Sequence, residues 1–123
     1  MKRMSMTVAV ACAVAACAST PVDPDAPLVV NGLELSPYGV HEECRTLMPG
    51  DRLDYRFVSS APVSFNIHYH DGNAIVIPIT HDGVTADSGI FHPALRQDFC
   101  LMWQAQLTTV TLDYRVAVRR KRP

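Results

Sequence analysis

After Leu28 the chain alternates apolar and polar side chains with a period of two. Leu53, Tyr55 and Phe57 alternate with Asp54 and Arg56, and Val63, Phe65, Ile67 and Tyr69 with Ser64, Asn66 and His68. Ile75, Ile77 and Ile79 follow. Phe99, Leu101 and Trp103 then alternate with Cys100 and Met102, and Val110, Leu112, Tyr114, Val116 and Val118 with Thr111, Asp113, Arg115 and Ala117. Successive side chains on a strand point to opposite faces, so this period gives each segment one face to bury. Turn-forming residues fall between the segments: Pro49-Gly50, Ser60-Ala61-Pro62, Asp71-Gly72, Asp82-Gly83 and His92-Pro93. Short strands with such punctuation predict an all-β fold, a sandwich or barrel, which we take as a single antiparallel β-sandwich of about seven or eight strands. Residues 40–48 also fit a helical stripe through Val40, Cys44, Leu47 and Met48; we read them as a strand. No internal repeat is visible.

The Asp71-Gly72 turn predicts a register. A two-residue loop of Asp71 and Gly72 would put Ile75 and Ile77 on the side of His68 and Asn66. A three-residue loop, His70-Asp71-Gly72, sets Ile67 opposite Ile75, Phe65 opposite Ile77 and Val63 opposite Ile79. A slip of one residue turns every side chain to the other face, so burial favours the second arrangement. It also gives Gly72 a positive φ, which glycine tolerates best.

With 123 residues, 19% charged, and a net charge of −1, the chain has the length of one domain and is neither collagen-like nor strongly disordered. Near-neutral charge gives no reason to expect nucleic acid as a partner. Residues 1–20 read MKRMSMTVAVACAVAACAST. Lys2 and Arg3 precede an apolar stretch from Thr7 to Ala16, and small residues follow, the three parts of a secretory signal. That stretch falls short of the roughly 20 residues that span a bilayer, and no later segment is long and apolar enough.

Val14-Ala15-Ala16-Cys17 resembles the lipobox of bacterial lipoproteins: a small aliphatic residue, two small residues, then cysteine. The resemblance implies that residues 1–16 are a signal peptide cut just before Cys17. It further implies that the Cys17 thiol carries a diacylglycerol and that the new amino terminus is acylated. Three acyl chains exceed what stable membrane anchoring needs. The family commonly marks inner-membrane retention with aspartate after the cysteine; Ala18 therefore implies the outer membrane, facing the periplasm. The alternative is ordinary signal cleavage, for which Ala16-Cys17-Ala18 offers a site before Ser19. Loss of residues 1–16 removes Lys2 and Arg3, leaving nine basic against twelve acidic side chains and a net charge of −3. Residues 17–27 then read as a lipidated, proline-rich tether, 28–118 as the folded domain, and 119–123 as a basic tail.

Setting aside Cys12 and Cys17 leaves Cys44 and Cys100. In an oxidising compartment an even pair implies a disulfide, closing a loop that chain entropy values at roughly 4 kcal/mol at most. The alternatives are two buried thiols or half of a metal site. The stretch from Cys44 to Val118 also resembles a GOLD-type β-sandwich. The resemblance rests on Cys44, the Pro49-Gly50 turn, and the strand Leu53-Asp54-Tyr55-Arg56-Phe57. It continues through Asp98-Phe99-Cys100-Leu101-Met102-Trp103 and the run Val110 to Val118. It implies a bridge between Cys44 and Cys100 and the role of an interaction module. The sequence departs from the pattern at Gln104-Ala105-Gln106, where the family usually has asparagine.

His68 and His70 lie two apart, on one face of a regular strand. With His81 beside the next Asp-Gly turn they could form a three-imidazole site for copper or zinc. Against this, the favoured register moves His70 into a loop, and a solvated strand face explains the pair equally well. His41 and His92 read as structural or exposed, and Asp51, Asp54, Asp71 and Asp82 as turn formers. GxSxG, HExxH, P-loop and GxGxxG patterns are missing, so no enzyme is predicted. Trp103 is expected to pack against the bridge. Arg119-Arg120-Lys121-Arg122 reads as a frayed, solvated end, or else as a contact for an anionic surface. The sequence thus predicts a membrane-anchored, non-enzymatic module for an envelope protein or glycan, with copper or zinc binding as the alternative.

Overall fold

A computed structural model describes residues 10–123. Residues 1–9, with Lys2, Arg3 and the start of the apolar stretch, lie outside the described residues. Six strands form among the described residues: β1 Leu28–Leu35, β2 Val40–Leu47, β3 Arg52–Asp71, β4 Ala74–Phe91, β5 Gln97–Ala105 and β6 Val110–Arg119. All pairings are antiparallel. Residues 40–47 are strand, as the alternation suggested over the helical stripe.

The organising element is the ribbon of β3 and β4. One edge of β3 pairs with β4 along almost its whole length. The other edge pairs first with β6, over Arg52–Ser59, and then with β5, over Val63–His68. β1 continues the sheet beyond β6, and β2 beyond β5. The result is one curled antiparallel sheet with two wings. The wings close on each other through aromatic side chains: Trp103 of β5 stacks on Tyr114 of β6 with centroids 4.6 Å apart, and Phe57 meets Trp103 edge-on at 5.9 Å.

Six strands replace seven or eight because two apparent turns are bulges within strands. Ser59 to Pro62 stays inside β3, and Asp82-Gly83 inside β4, with the ladder shifting register between Val58 and Val63 and again between Val63 and Phe65. Bulges bend and twist a ribbon. Here the bend lies where β3 leaves β6 and takes up β5. Gly83 supplies a positive φ of 67° at the kink.

The hairpin register also differs from expectation. The loop is Gly72-Asn73, joining Asp71 to Ala74, and Ile67 faces Ile79 instead of Ile75. Gly72 does have a positive φ, 58°, but at the first position of a two-residue loop, where a type II′ turn places glycine. A further shift between Ile67 and Tyr69, opposite Ile77-Pro78, changes the parity of β4. Val76 and Ile79 thereby both turn inward while Ile75 and Ile77 stay exposed. Proline tolerates a bulge on an edge strand because no ladder donor is lost there.

The core runs through both wings. Leu53, Val63, Ile67, Leu101, Trp103, Val110 and Leu112 are fully buried. Trp103 does not pack against the bridge. In β5 it shares the inner face with Phe99 and Leu101, whereas Cys100 has the opposite parity and faces outward. Trp103 lies instead against Phe57, Phe65, His41 and Tyr114.

Candidate functional site

Two constructions lie outside the core. The first joins the ends of the chain. Asp51, only 2% exposed, follows the Pro49-Gly50 turn. Its Oδ2 accepts from the Met48 amide at 3.0 Å and from Arg120 Nη1 at 2.9 Å; its Oδ1 accepts from the Lys121 amide at 3.0 Å. Arg120 also donates to the Thr46 carbonyl at 2.7 Å and, through two nitrogens at 2.9 and 2.7 Å, to the Asp25 carboxylate. Gly50, at φ 95°, permits this closeness: a Cβ there would overlap the Lys121 side chain.

Burial pushes the Asp51 carboxyl up, but the Lys121 and Met48 amides and Arg120 outweigh it and hold the group below the ordinary aspartate range. The Arg120 hydrogen bond likewise outweighs burial at Asp25 and lowers it. The basic end is therefore not frayed at Arg120 and Lys121. Asp51 is more than a turn former, and Asp25, ahead of β1, is fastened to the domain.

The second construction lies on the outer face of the β2–β5–β3 wing. Cys44 pairs with Cys100 across β2 and β5, and Cys100 pairs with His68 across β5 and β3, so the three form one row. Cys44 and Cys100 are joined by a disulfide. His68 is 4% exposed. Its Nδ1 lies 2.8 Å from Asn66 Oδ1, and its Nε2 lies 3.6 Å from Glu42 Oε1. One ligand atom each from Glu42, His68 and Cys100 lie within 4.8 Å of one another.

The structure brings His68 and His70 together, with ring centroids 5.3 Å apart. His70 is in β3, opposite Ile75, and not in a loop. His81 is not with them. It pairs with Phe65, whose face is the inner one, its ring lies parallel to that phenylalanine at 6.5 Å, and its Nε2 is 3.5 Å from Asp87. His41 is partly buried and bonded to the Tyr114 hydroxyl at 2.9 Å, with burial lowering its pKa; His92 is exposed.

Sequence reasoning missed Glu42, Asn66, Asp25 and the role of Asp51. Glu42 and Asn66 carried a usable signal, since each stands two residues from Cys44 or His68 and so shares its face. Asp25 carried none, because its partner is 95 residues away.

Cys17 is exposed and its thiol is unpaired. No helix among the described residues is long and apolar enough to cross a membrane. The fold thus defines an all-β, disulfide-bridged domain preceded, among the described residues, by a segment without helix or strand. No family model matches the chain, and no curated protein matches it.

Proposed function

We propose that the protein is a lipid-anchored lipoprotein of the bacterial cell envelope, held at the outer membrane and facing the periplasm. Its folded part, a GOLD-type sandwich made by closing the two wings, acts as a non-enzymatic binding or structural module for an envelope protein or glycan. The observation that carries the reading is Val14-Ala15-Ala16-Cys17, placed after a basic start and an apolar stretch. The exposed, unpaired Cys17 is compatible with acylation. Residues 10–23 have no regular secondary structure, and the segment meets the domain at Asp25. A chain from Cys17 to Asp25 reaches about 30 Å at most, so the domain rides close to the headgroups.

The test is the intact mass of protein extracted from membranes, measured with and without reduction. The expected species begins at Cys17, carries a diacylglycerol and an amide-linked acyl chain, and gains two hydrogens on reduction. Cys17→Ser should leave the membrane fraction. A wild-type chain recovered as a soluble species beginning at Ser19 would overturn the assignment.

A further inference from the structure

We propose that Glu42, His68, Cys44 and Cys100 form a redox-gated site for Zn2+, closed while the disulfide stands and opened by a dithiol reductant. It does not rest on the lipid anchor, and a chain lacking acyl groups would carry it too.

The geometry begins at His68. Asn66 Oδ1 can only accept a hydrogen bond, so His68 Nδ1 carries the hydrogen. With Nδ1 so engaged, Nε2 is the ring nitrogen left to face outward, and it lies near a carboxylate oxygen of Glu42. An imidazole nitrogen and a carboxylate oxygen side by side are the donor types that Zn2+ takes. At 3.6 Å the gap is longer than a charge-assisted hydrogen bond, which runs to about 2.9 Å. It is close to the spacing of two donors around one tetrahedral ion with bonds near 2.0–2.1 Å, about 3.4 Å. Metal-bound histidines characteristically donate their second ring N–H to an oxygen, the part Asn66 plays here. A buried imidazole, its orienting partner, a carboxylate and sulfur are thus already assembled on two rows of one sheet face, Cys44–Cys100–His68 and, two residues away, Glu42–Met102–Asn66.

The missing donors are held back by a bond. A disulfide sulfur is a poor zinc ligand; a thiolate is a strong one. Cys44 is exposed and Cys100 is buried beside His68, which makes Cys44 the reachable sulfur. A thiolate of the dithiol attacks Cys44 Sγ, the Cys44–Cys100 bond breaks, and the electron pair leaves on Cys100. The second thiolate then attacks the mixed disulfide, releasing Cys44 and closing the oxidised cyclic disulfide of the reductant. Two electrons pass from the reductant to the cysteines. Zn2+ then binds two thiolates, the His68 imidazole and the Glu42 carboxylate, and each thiol loses its proton on binding. In the oxidised protein only the imidazole and the carboxylate remain as donors.

The experiment uses the full chain, oxidised or reduced with the reductant then removed under anaerobic conditions. Zn2+ alone is titrated against a chromophoric chelator. One ion per reduced chain is expected, with affinity at least about a hundredfold above the oxidised form; Co2+ in its place should give thiolate charge-transfer absorption only after reduction. The exposed Glu42→Gln should weaken binding by about tenfold or more, His68→Asn by more, and Asn66→Ala by about 10- to 100-fold. His81→Ala should change nothing. The C12S/C17S chain should bind as the wild type does, which separates this site from the other thiols and from acylation.

Equal affinity in the oxidised and reduced forms would overturn the proposal, as would reduced-state binding indifferent to both Glu42→Gln and His68→Asn. If reduction alone abolishes the β-sheet circular dichroism, its return on adding Zn2+ supports the site. Binding without that return, insensitive to Glu42→Gln, counts against it.

Discussion

Replacing Asp51 by asparagine tests the knot between the ends of the chain. The side chain keeps its shape and loses its charge and one acceptor oxygen. In the native protein the two oxygens accept from three donors, the Met48 amide, the Lys121 amide and Arg120. An asparagine oxygen can serve one side of that set, and its NH2 then faces a donor on the other. Hydrogen bonds to a charged group contribute about 1.5–3 kcal/mol each, and removing one partner of a buried pair costs about 3–5 kcal/mol. Arg120 is 39% exposed and recovers part of its solvation, so the lower end applies, about 3 kcal/mol. For a domain of this size that lowers Tm by about 10–20 °C. Urea unfolding of the oxidised protein, followed by circular dichroism, reads the change. Arg120→Ala should cost less, since both amides still reach the carboxylate. A D51N midpoint within about 0.5 kcal/mol of the wild type would show that the buried carboxylate does not hold the ends together.

Acid should act on the same knot. Asp25, Asp51 and Asp54 all have folded-state pKa values below the ordinary 3.8, so the unfolded chain binds protons first as pH falls. The stability they contribute is complete above about pH 5 and declines as pH drops through 4 and below; thermal melts at stepped pH should show that loss, and a smaller one in D51N. At the hairpin, Gly72→Ala meets no neighbour but must adopt a positive φ, a cost of about 1–2 kcal/mol read by urea unfolding.

Much of the fold is legible in the alternation, because a half-buried strand imposes its period directly on the residues. What is lost at a bulge is parity. Ile75, Ile77 and Ile79 look like one buried row, yet the extra residue at Ile77-Pro78 puts Val76 and Ile79 inward. Ser60-Ala61-Pro62 and Asp82-Gly83 look like turns because a kink within a strand requires the same residues as a chain reversal.

The outer-face cluster is half legible. His68 and His70 share a face by spacing alone, whereas the nearness of His68 to Cys100 depends on β3 changing partners from β6 to β5 midway. Nothing local to either residue encodes that exchange. His81 misleads for the opposite reason: it is near in sequence, but it pairs with Phe65 and so takes the face opposite to that of His68.

The order of the strands has a consequence for how the molecule is born. Among the described residues β1 finds its ladder partner only in β6, and β2 only in β5. A chain emerging amino end first can zip up the β3–β4 ribbon early, but its opening strand must wait for the last one to arrive. Contacts so distant along the chain close slowly. Leu28, Val30 and Leu33 therefore travel uncovered for nearly the whole of synthesis, and a nascent chain stalled before Val110 would offer that bare strand to any neighbour.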